Sequence, residues 1–230
     1  MNTISWLQVI VNFVQAIISG VFVGFTVYLL DERRVKRERR LSDFRIASNW
    51  DKTKPRISLR NYDLTGANLS GHKFQKANLE DAILRNTHLW ATDFSGANLR
   101  RADFSRAKLA GTKYNKAIAY IANFSKALIS RRINPDREYI PDFSDALLIR
   151  AIFRGAKIEG AIFRNTNLKR TDFSGAVVKD CDFTGADLTL SSWRRVRRVD
   201  NCIWKGVEAD NPSNFSDRLW DEIQRQNADQ

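Results

Sequence analysis

The sequence predicts a solenoid whose coils have four five-residue sides, preceded by one transmembrane α-helix and closed by a short carboxyl-terminal helix. Three observations support this prediction. Large apolar residues recur every five positions from Leu59 to Trp193, similar side chains recur every twenty positions, and the first thirty residues carry no charged side chain. The chain has 230 residues and is 43% hydrophobic, which is enough for a sizeable core.

Residues 3–30 are predicted to form the transmembrane helix. Sixteen residues between Ile4 and Leu30 are Ile, Leu, Val or Phe, and about 20 apolar residues suffice to cross a bilayer. A cleaved signal peptide would begin with positive charge and end at a small-residue cleavage site, and the sequence has neither. The alternative is a long helix buried in a protein core.

Residues 31–56 are predicted to be a basic juxtamembrane linker followed by an amino-terminal cap. Basic side chains outnumber acidic ones directly after Leu30, which by the positive-inside rule places the amino terminus outside and the rest of the chain in the cytoplasm. Contact with anionic lipid headgroups is predicted for Arg33, Arg34, Lys36, Arg37, Arg39 and Arg40.

One face of the predicted span is polar, and a ladder of small residues lies beside it. Amide side chains facing lipid would be poorly satisfied, so they favour hydrogen bonds between helices, and small residues allow close approach. Self-association through the membrane is therefore predicted for Gln8, Asn12, Gln15, Ser19, Gly20, Gly24 and Thr26. The alternative is that the amides lie in the headgroup region and the glycine spacing is fortuitous.

The five-residue period is the strongest pattern in the chain. The residue that recurs at every fifth position is called the centre of its repeat. Fifteen successive centres from Leu59 to Ile129 are apolar or aromatic, and eleven more follow from Phe143 to Trp193. A small residue stands two positions before most centres. Helical and strand periods would drift out of phase within two repeats. Two repeat blocks, 57–131 and 143–193, are therefore predicted, separated at 132–142 by a loop or bend; whether residues 130–142 bind a partner stays open.

Similar centres recur every twenty residues, as in Leu59, Leu79 and Leu99 or Phe143, Phe163 and Phe183. Four pentapeptides per coil would stack these side chains directly above one another. The segments ATDFSGANLRRADFSRAKLAG and RTDFSGAVVKDCDFTGADL resemble the A-[D/N]-[L/F]-x-x signature of pentapeptide-repeat proteins. The resemblance covers residues 57–193 and implies an all-β, right-handed quadrilateral β-helix of 26 repeats, with coils about 4.8 Å apart.

Both ends of such a stack would expose strand edges and apolar interior, so covers are expected. Phe44, Ile46 and Trp50 are candidates at the amino end. Residues 194–230 are predicted to be a basic segment followed by a capping helix over Ser213–Gln226, with Phe215, Leu219, Trp220 and Ile223 on one flank.

The charge argues against one known role of the resembled family, the mimicry of DNA by acidic β-helices. The chain carries a net charge of +12, and residues 57–193 hold 21 basic and 14 acidic side chains. Nucleic acid is nevertheless an improbable partner, because the aromatic residues needed for base stacking are used in the core. A partner or anion patch is predicted at Arg194, Arg195, Arg197 and Arg198.

The sequence predicts no enzyme. Two histidines and two cysteines form no catalytic or metal-ligating pattern, so no catalytic, cofactor-binding or metal residue is assigned and no cofactor is expected. The predicted function is a membrane-anchored cytoplasmic interaction module that binds an unidentified cytoplasmic protein. The alternative is an effector that forms homo-oligomers through its transmembrane helix and disrupts the bilayer, with the β-helix as its regulator.

Overall fold

The computed structural model describes residues 6–50 and 58–228; within the first helix it describes side chains only at positions 14, 15, 21, 22 and from 25 onward. The chain divides into two compact units, Met1–Ser42 and Asp43–Gln230. Helix α1 spans Trp6–Ser48. Two ion pairs support it, each between residues one helical turn apart. Arg34 Nε lies 3.0 Å from Glu38 Oε1, and Lys36 Nζ lies 2.5 Å from Glu32 Oε1.

The predicted transmembrane span is not found. In the part of the chain that the structure describes, no helix is both long enough and apolar enough to cross a bilayer. Beyond Leu30 the side chains of α1 become predominantly charged, and charged side chains oppose insertion. The predicted localisation, single-pass with the amino terminus outside and the β-helix in the cytoplasm, is therefore wrong.

Residues 59–209 wind into a β-helix of four sides per coil. Residues twenty apart face each other in parallel, as Asp63 faces Ile83 and Ile83 faces Asp103. Each coil is bonded to the next, because the Leu64 N–H donates to the Ile83 carbonyl at 2.8 Å and the Ile83 N–H donates to the Tyr62 carbonyl at 2.8 Å. The β-helix predicted from the five-residue period is confirmed.

Regular strands are few because each side of a coil is only about three extended residues long. The strands are β1 Leu128–Ser130, β2 Arg132–Asn134, β3 Arg137–Tyr139, β4 Lys157–Glu159, β5 Val177–Lys179 and β6 Arg198–Asp200. Four of them, stacked in the order β1, β4, β5, β6, form a parallel sheet along one side, and β2 and β3 form an antiparallel hairpin. Single bridges hold the remaining sides.

The corners explain the Asp or Asn that precedes twelve of the 26 centres. The side-chain oxygen of this residue accepts the N–H two positions later, as Asp93 Oδ1 accepts from Ser95 at 2.9 Å and Asn123 Oδ1 accepts from Ser125 at 2.9 Å. The next residue then turns the chain with a positive φ, which is 67° at Gly96 and 57° at Lys126. Asp and Asn favour such turns because they bond to their own backbone.

The core consists of four columns of inward side chains. Phe94, Tyr114 and Phe143 stack with ring centroids 5.4 and 4.5 Å apart in one column. The column on the opposite side begins with aliphatic centres and becomes aromatic at Phe104, after which Phe124 follows at 4.9 Å. The remaining two columns are aliphatic and equally buried. The predicted twenty-residue stacking is thereby confirmed, and each buried large side chain contributes roughly 1.5–3 kcal/mol.

The segment between the two predicted blocks does not interrupt the stack. Lys113 bridges to Asp142 and Leu128 pairs with Lys157, so the coils on either side remain bonded to each other. Partners here are 29 residues apart instead of twenty. The nine extra residues leave one corner as the hairpin β2–β3, a structure that the sequence prediction of a loop or bend did not specify.

The β-helix continues beyond Trp193, where the sequence prediction ended it. One extra residue separates Trp193 from the next centre, and the five-residue register resumes at Val199, Trp204 and Ala209. Val178 pairs with Val199, and Asp187 pairs with Glu208. Residues 194–209 are therefore further sides of the coil rather than a separate basic segment.

Each end of the stack is covered by helix. At the amino end Ala47 is fully buried, Ile46 and Trp50 pack against the core, and Phe44 is exposed. At the carboxyl end a 3-10 turn, Pro212–Asn214, leads into helix α2, Asp217–Ala228, which places Leu219 and Ile223 on the last coil. The predicted capping helix is present and lies a few residues further along the chain than expected.

Candidate functional site: a projecting hairpin and a groove at the last coil

The hairpin β2–β3 is fixed to the outside of the β-helix by aromatic contacts. The Tyr139 ring on β3 lies edge-on against the Trp90 ring, with centroids 5.5 Å apart. The Arg132 guanidinium lies over the same Trp90 ring, 4.9 Å from its centroid. Cation–π and edge-to-face contacts of this kind each contribute roughly 0.5–1 kcal/mol at exposed positions, so together they orient the hairpin.

A glycine corner provides the space on which the hairpin rests. Gly111 has a φ of 62°, and a Cβ at this position would lie 2.4 Å from Tyr139 Cβ and 3.2 Å from the Tyr139 backbone. At the corner two coils further along the same side, a Cβ on Gly160 would lie 2.6 Å from Arg131 Cδ. Because the backbone of β3 cannot move away freely, Gly111 is required for the observed position of the hairpin.

The hairpin presents one large apolar side chain to solvent. Ile133 on β2 is 69% exposed, the highest value among the large apolar residues described in the second unit. Its neighbours Arg131, Arg132 and Arg137 are exposed as well. An isolated exposed apolar residue is common in itself, but here it stands on a rigidly mounted projection.

A second surface lies between the last coil and α2. Two adjoining cavities of about 440 and 460 Å³ share strand β6 as one wall and α2 as the other. Arg197 and Arg198 enter from the coil, while Arg218 and Glu222 enter from the helix. The two cavities share most of their lining and form one channel, named here the β6 groove.

Ionic ladders run along the outer sides of the stack. Arg164 Nε lies 2.5 Å from Asp182 Oδ2, and Arg154 pairs with Asp172 in the same way on the opposite side of the coil. Burial alone would raise the pKa of Asp182, but hydrogen bonds from Thr184 and Arg164 outweigh it, so the pKa is lowered from its ordinary value. At Glu80 the largest cause is the hydrogen bond from Arg101, which also lowers the pKa.

Most residues predicted for self-association lie outside the described side chains: Gln8, Asn12, Ser19, Gly20 and Gly24. Gln15 and Thr26 are exposed, and the Thr26 hydroxyl donates to the Phe22 carbonyl at 2.8 Å, which satisfies it within its own helix. Self-association through a membrane is not supported. The six cations predicted to meet lipid are exposed on α1, and two of them, Arg34 and Lys36, pair with glutamates. Lipid contact is likewise not supported.

The predicted arginine patch is divided by the fold. Arg197 and Arg198 line the β6 groove, whereas Arg194 and Arg195 lie at the preceding turn and do not line it. Arg198 pairs with Asp200. The structure adds Arg218 from α2, which sequence reasoning missed because only the docking of α2 brings it to the patch. Among the described residues no group of His, Cys, Asp and Glu could hold a metal ion.

Comparison with known proteins identifies the repeats. The model of the family described as "Pentapeptide repeats" matches residues 55–81, 82–113, 142–165 and 151–189, in eight copies. These ranges include the segments that carry the sequence signature. Family members form right-handed β-helices. None of the curated proteins matches this chain.

Solved structures with the same repeat are also similar to parts of the chain. HetL from the cyanobacterium Nostoc sp. strain PCC 7120, which is involved in heterocyst differentiation regulation, is 23% identical, with a TM-score of 0.25, covering 66% of this chain and 90% of that one. A thylakoid lumen protein of Arabidopsis thaliana is 21% identical, with a TM-score of 0.27, covering 61% and 72%. The plasmid-mediated fluoroquinolone resistance protein QnrB1 is 19% identical, with a TM-score of 0.31, covering 75% and 92%.

Proposed function

Because the pentapeptide-repeat model matches residues 55–113 and 142–189, we propose that the protein belongs to this family and is a non-catalytic scaffold that binds a partner protein through the hairpin β2–β3. The observation that carries the proposal is the mounting of this hairpin. Trp90, Tyr139 and Arg132 hold it in one orientation, and Gly111 leaves room for it.

The rigid stack would reduce the entropic cost of binding. A hairpin free in solution would lose conformational freedom on binding, whereas one held against the stack has already lost most of it. Ile133 offers an apolar anchor at the centre, and the surrounding arginines offer hydrogen bonds at the rim, an arrangement common in protein interfaces. Asp136 and Glu138 are exposed beside the arginines, and Glu138 is the cross-strand neighbour of Ile133. A partner with an apolar pocket bordered by polar groups of both charges fits this surface.

The proposal is tested by affinity purification from a lysate of the source organism with wild-type and variant chains, followed by identification of the retained proteins. Ile133→Asp is expected to reduce retention of a specific partner at least tenfold, because a charge would enter its apolar pocket. The matched control is Ile121→Asp, at an exposed corner that is 46% accessible. Equal retention by both variants would exclude the hairpin tip as the anchor.

A second variant displaces the hairpin without changing its exposed side chains. Gly111→Ala introduces the Cβ that conflicts with Tyr139, and Gly96→Ala is its control, since the residue has a similar φ of 67° and its nearest neighbour, Lys76 Cγ, is 3.5 Å away. Both variants strain the corner, but only Gly111→Ala should lose the partner. Loss of the partner in both, with the fold intact, would assign the effect to corner strain instead.

A further inference from the structure

We propose that the β6 groove binds an extended, acidic peptide segment of a partner protein, which adds a strand to the free edge of β6. This inference rests on the proposed scaffold function and assigns it a second contact surface, separate from the hairpin.

The outward edge of β6 has hydrogen-bond donors without acceptors. The side that ends in β6 has the centres Ile158 and Val178 in the two preceding coils. There the N–H two residues after the centre donates to a carbonyl of the following coil: Gly160 donates to Lys179 at 2.9 Å, and Asp180 donates to Asp200 at 3.0 Å. The equivalent N–H on the last coil belongs to Asn201, and within residues 58–228 no acceptor faces it. The N–H of Val199 is in the same situation, because its equivalent Leu109 donates to Leu128 at 2.8 Å.

Several edge groups on the adjoining sides of this coil are satisfied by α2 and the turn before it. Gln226 accepts from the Trp204 N–H at 2.8 Å and donates to the Cys202 carbonyl at 3.2 Å. Asn227 accepts from the Val207 N–H and donates to the Val207 carbonyl. The Trp193 N–H donates to the Asn214 carbonyl at 2.9 Å. The Gly206 N–H, whose equivalent Gly185 donates to the Lys205 carbonyl at 2.8 Å, also has no hydrogen bond among the described residues. What distinguishes β6 is that its open donors lie beside the groove lined by α2.

The walls of the groove favour a negatively charged occupant. Arg197 and Arg218 line it, and no carboxylate in the described chain forms an ion pair with either of them. The acidic groups present are Asp200, which pairs with Arg198, and Glu222. Two unpaired guanidinium groups beside two free N–H donors complement a peptide whose carbonyls face β6 and whose side chains include carboxylates.

The groove has room for a short strand. An extended segment advances about 3.3 Å per residue, and a strand laid along Val199 and Asn201 would occupy the combined volume of the two cavities, about 440 and 460 Å³ before their shared region is discounted. Such β-augmentation obtains affinity from main-chain hydrogen bonds and selectivity from the flanking charges.

The experiment measures fluorescence anisotropy of a labelled peptide of alternating glutamate and valine with the purified full chain. Its controls are the same peptide with N-methylated alternate residues, which cannot pair as a strand, and a lysine–valine peptide. The unmodified acidic peptide is expected to bind at least about tenfold more tightly than either control. Equal binding of the methylated peptide, or no binding of the acidic one, would overturn the proposal.

Paired charge reversals locate the site. The double variant Arg197→Glu/Arg218→Glu is expected to weaken binding at least about tenfold. Arg194→Glu/Arg195→Glu makes the same change of charge outside the groove and should weaken it less than about threefold. Similar losses in both would reduce the effect to net charge and contradict the groove. A stable dimer whose formation protects the Val199 and Asn201 amides from hydrogen exchange would assign the edge to a second copy instead, which also overturns it.

Failure here is distinguishable from failure of the hairpin proposal. Ile133→Asp should leave the affinity for the acidic peptide unchanged, because the hairpin leaves the stack several coils away from β6. Peptide binding with no effect of Ile133 on partner retention would keep the groove and reject the hairpin, and the reverse result would do the opposite.

Discussion

The two ends of the β-helix meet the same physical requirement with different pieces of chain. At the amino end the carboxylate of Asp43, on α1, accepts the N–H of Asp63 at 2.9 Å, and Ala47 packs on the first coil. At the carboxyl end the amides of Gln226 and Asn227, on α2, each bond to both kinds of backbone group. A helix thus replaces the missing coil when its side chains imitate a strand edge.

The difference lies in how completely the edge is replaced. A carboxylate only accepts, so Asp43 serves a donor, whereas an amide both donates and accepts and serves two groups at once. The carboxyl end therefore depends more on individual polar side chains of one short helix. It also leaves β6 open, which is why the proposed peptide site lies there.

Removal of α2 should have the largest effect on this comparison. Deleting residues 212–230 uncovers Trp193 and Trp204 and removes Phe215, Leu219 and Ile223, all of them buried. The loss should be roughly 5–8 kcal/mol at 1.5–3 kcal/mol per buried side chain, with aggregation of the product. Thermal unfolding followed by circular dichroism and analytical ultracentrifugation would check this. An equally stable, monomeric product would show that α2 is not needed as a cap.

The polar part of the cap is tested by the double variant Gln226→Ala/Asn227→Ala. It keeps the apolar face of α2 but removes the partners of the Trp204 N–H and of the Cys202 and Val207 carbonyls. The Val207 N–H keeps its bond to the Trp204 carbonyl at 3.2 Å. We expect a loss of about 2–4 kcal/mol in the free energy of unfolding by denaturant. Gln224→Ala, an exposed position on the same helix, is the control and should change it by less than about 0.5 kcal/mol.

The regular coils could be predicted from the sequence more completely than the end of the stack. The period of five and the recurrence at twenty are properties of the residue order alone, so the core columns from Leu59 to Trp193 were predictable. Residues 194–209 escaped because a single extra residue before Val199 shifts the register, although Cys202, two positions before Trp204, repeats the small-residue rule. A search that allowed one insertion would have found them.

The candidate sites were less accessible from the sequence for a physical reason. The hairpin depends on Trp90, 49 residues before Tyr139, and on a corner at Gly111. The β6 groove depends on the absence of a partner at one edge and on Arg218 arriving with α2. Such sites arise from tertiary packing, and no local pattern records them.

Acid should weaken the Arg164–Asp182 ion pair near the carboxyl end more than the Arg101–Asp81 ion pair near the amino end. The folded pKa of Asp182 is lowered from its ordinary 3.8. Its stabilising contribution is therefore fully present above 3.8 and is lost as the pH falls from there through the lower folded pKa. Asp182→Asn keeps the oxygen that caps Thr184 but loses the charge that pairs with Arg164. The variant should be less stable by roughly 1 kcal/mol at pH 7 and lose less on acidification to about pH 3.

The counterpart at the amino end is Asp81→Asn. The pKa of Asp81 is lowered chiefly by the hydrogen bond from Arg101, but the Asp81 side chain is more exposed to water than that of Asp182, 27% against 11%. The change in pH dependence should therefore be smaller than for Asp182→Asn. Urea unfolding of both variants at pH 7 and near pH 3 checks the order, and a steeper acid loss for the Asp81 pair would reverse the comparison.

The smallest difference between the ends lies in the corners. The first coil turns at Asn61 and Gly66, residue types that tolerate a positive φ, whereas the last turns include Leu190 at a φ of 58°. A leucine in this conformation costs about 1 kcal/mol, and Leu190 is 45% exposed, so little packing offsets the cost. Leu190→Gly retains the backbone N–H that donates to Asp210 at 2.9 Å. It should raise the free energy of unfolding by about 0.5–1 kcal/mol, while Asn61→Gly should change it by only a few tenths. A loss of stability in Leu190→Gly would mean that its side chain contributes to the cap, and the carboxyl end would then extend one side further than α2 indicates.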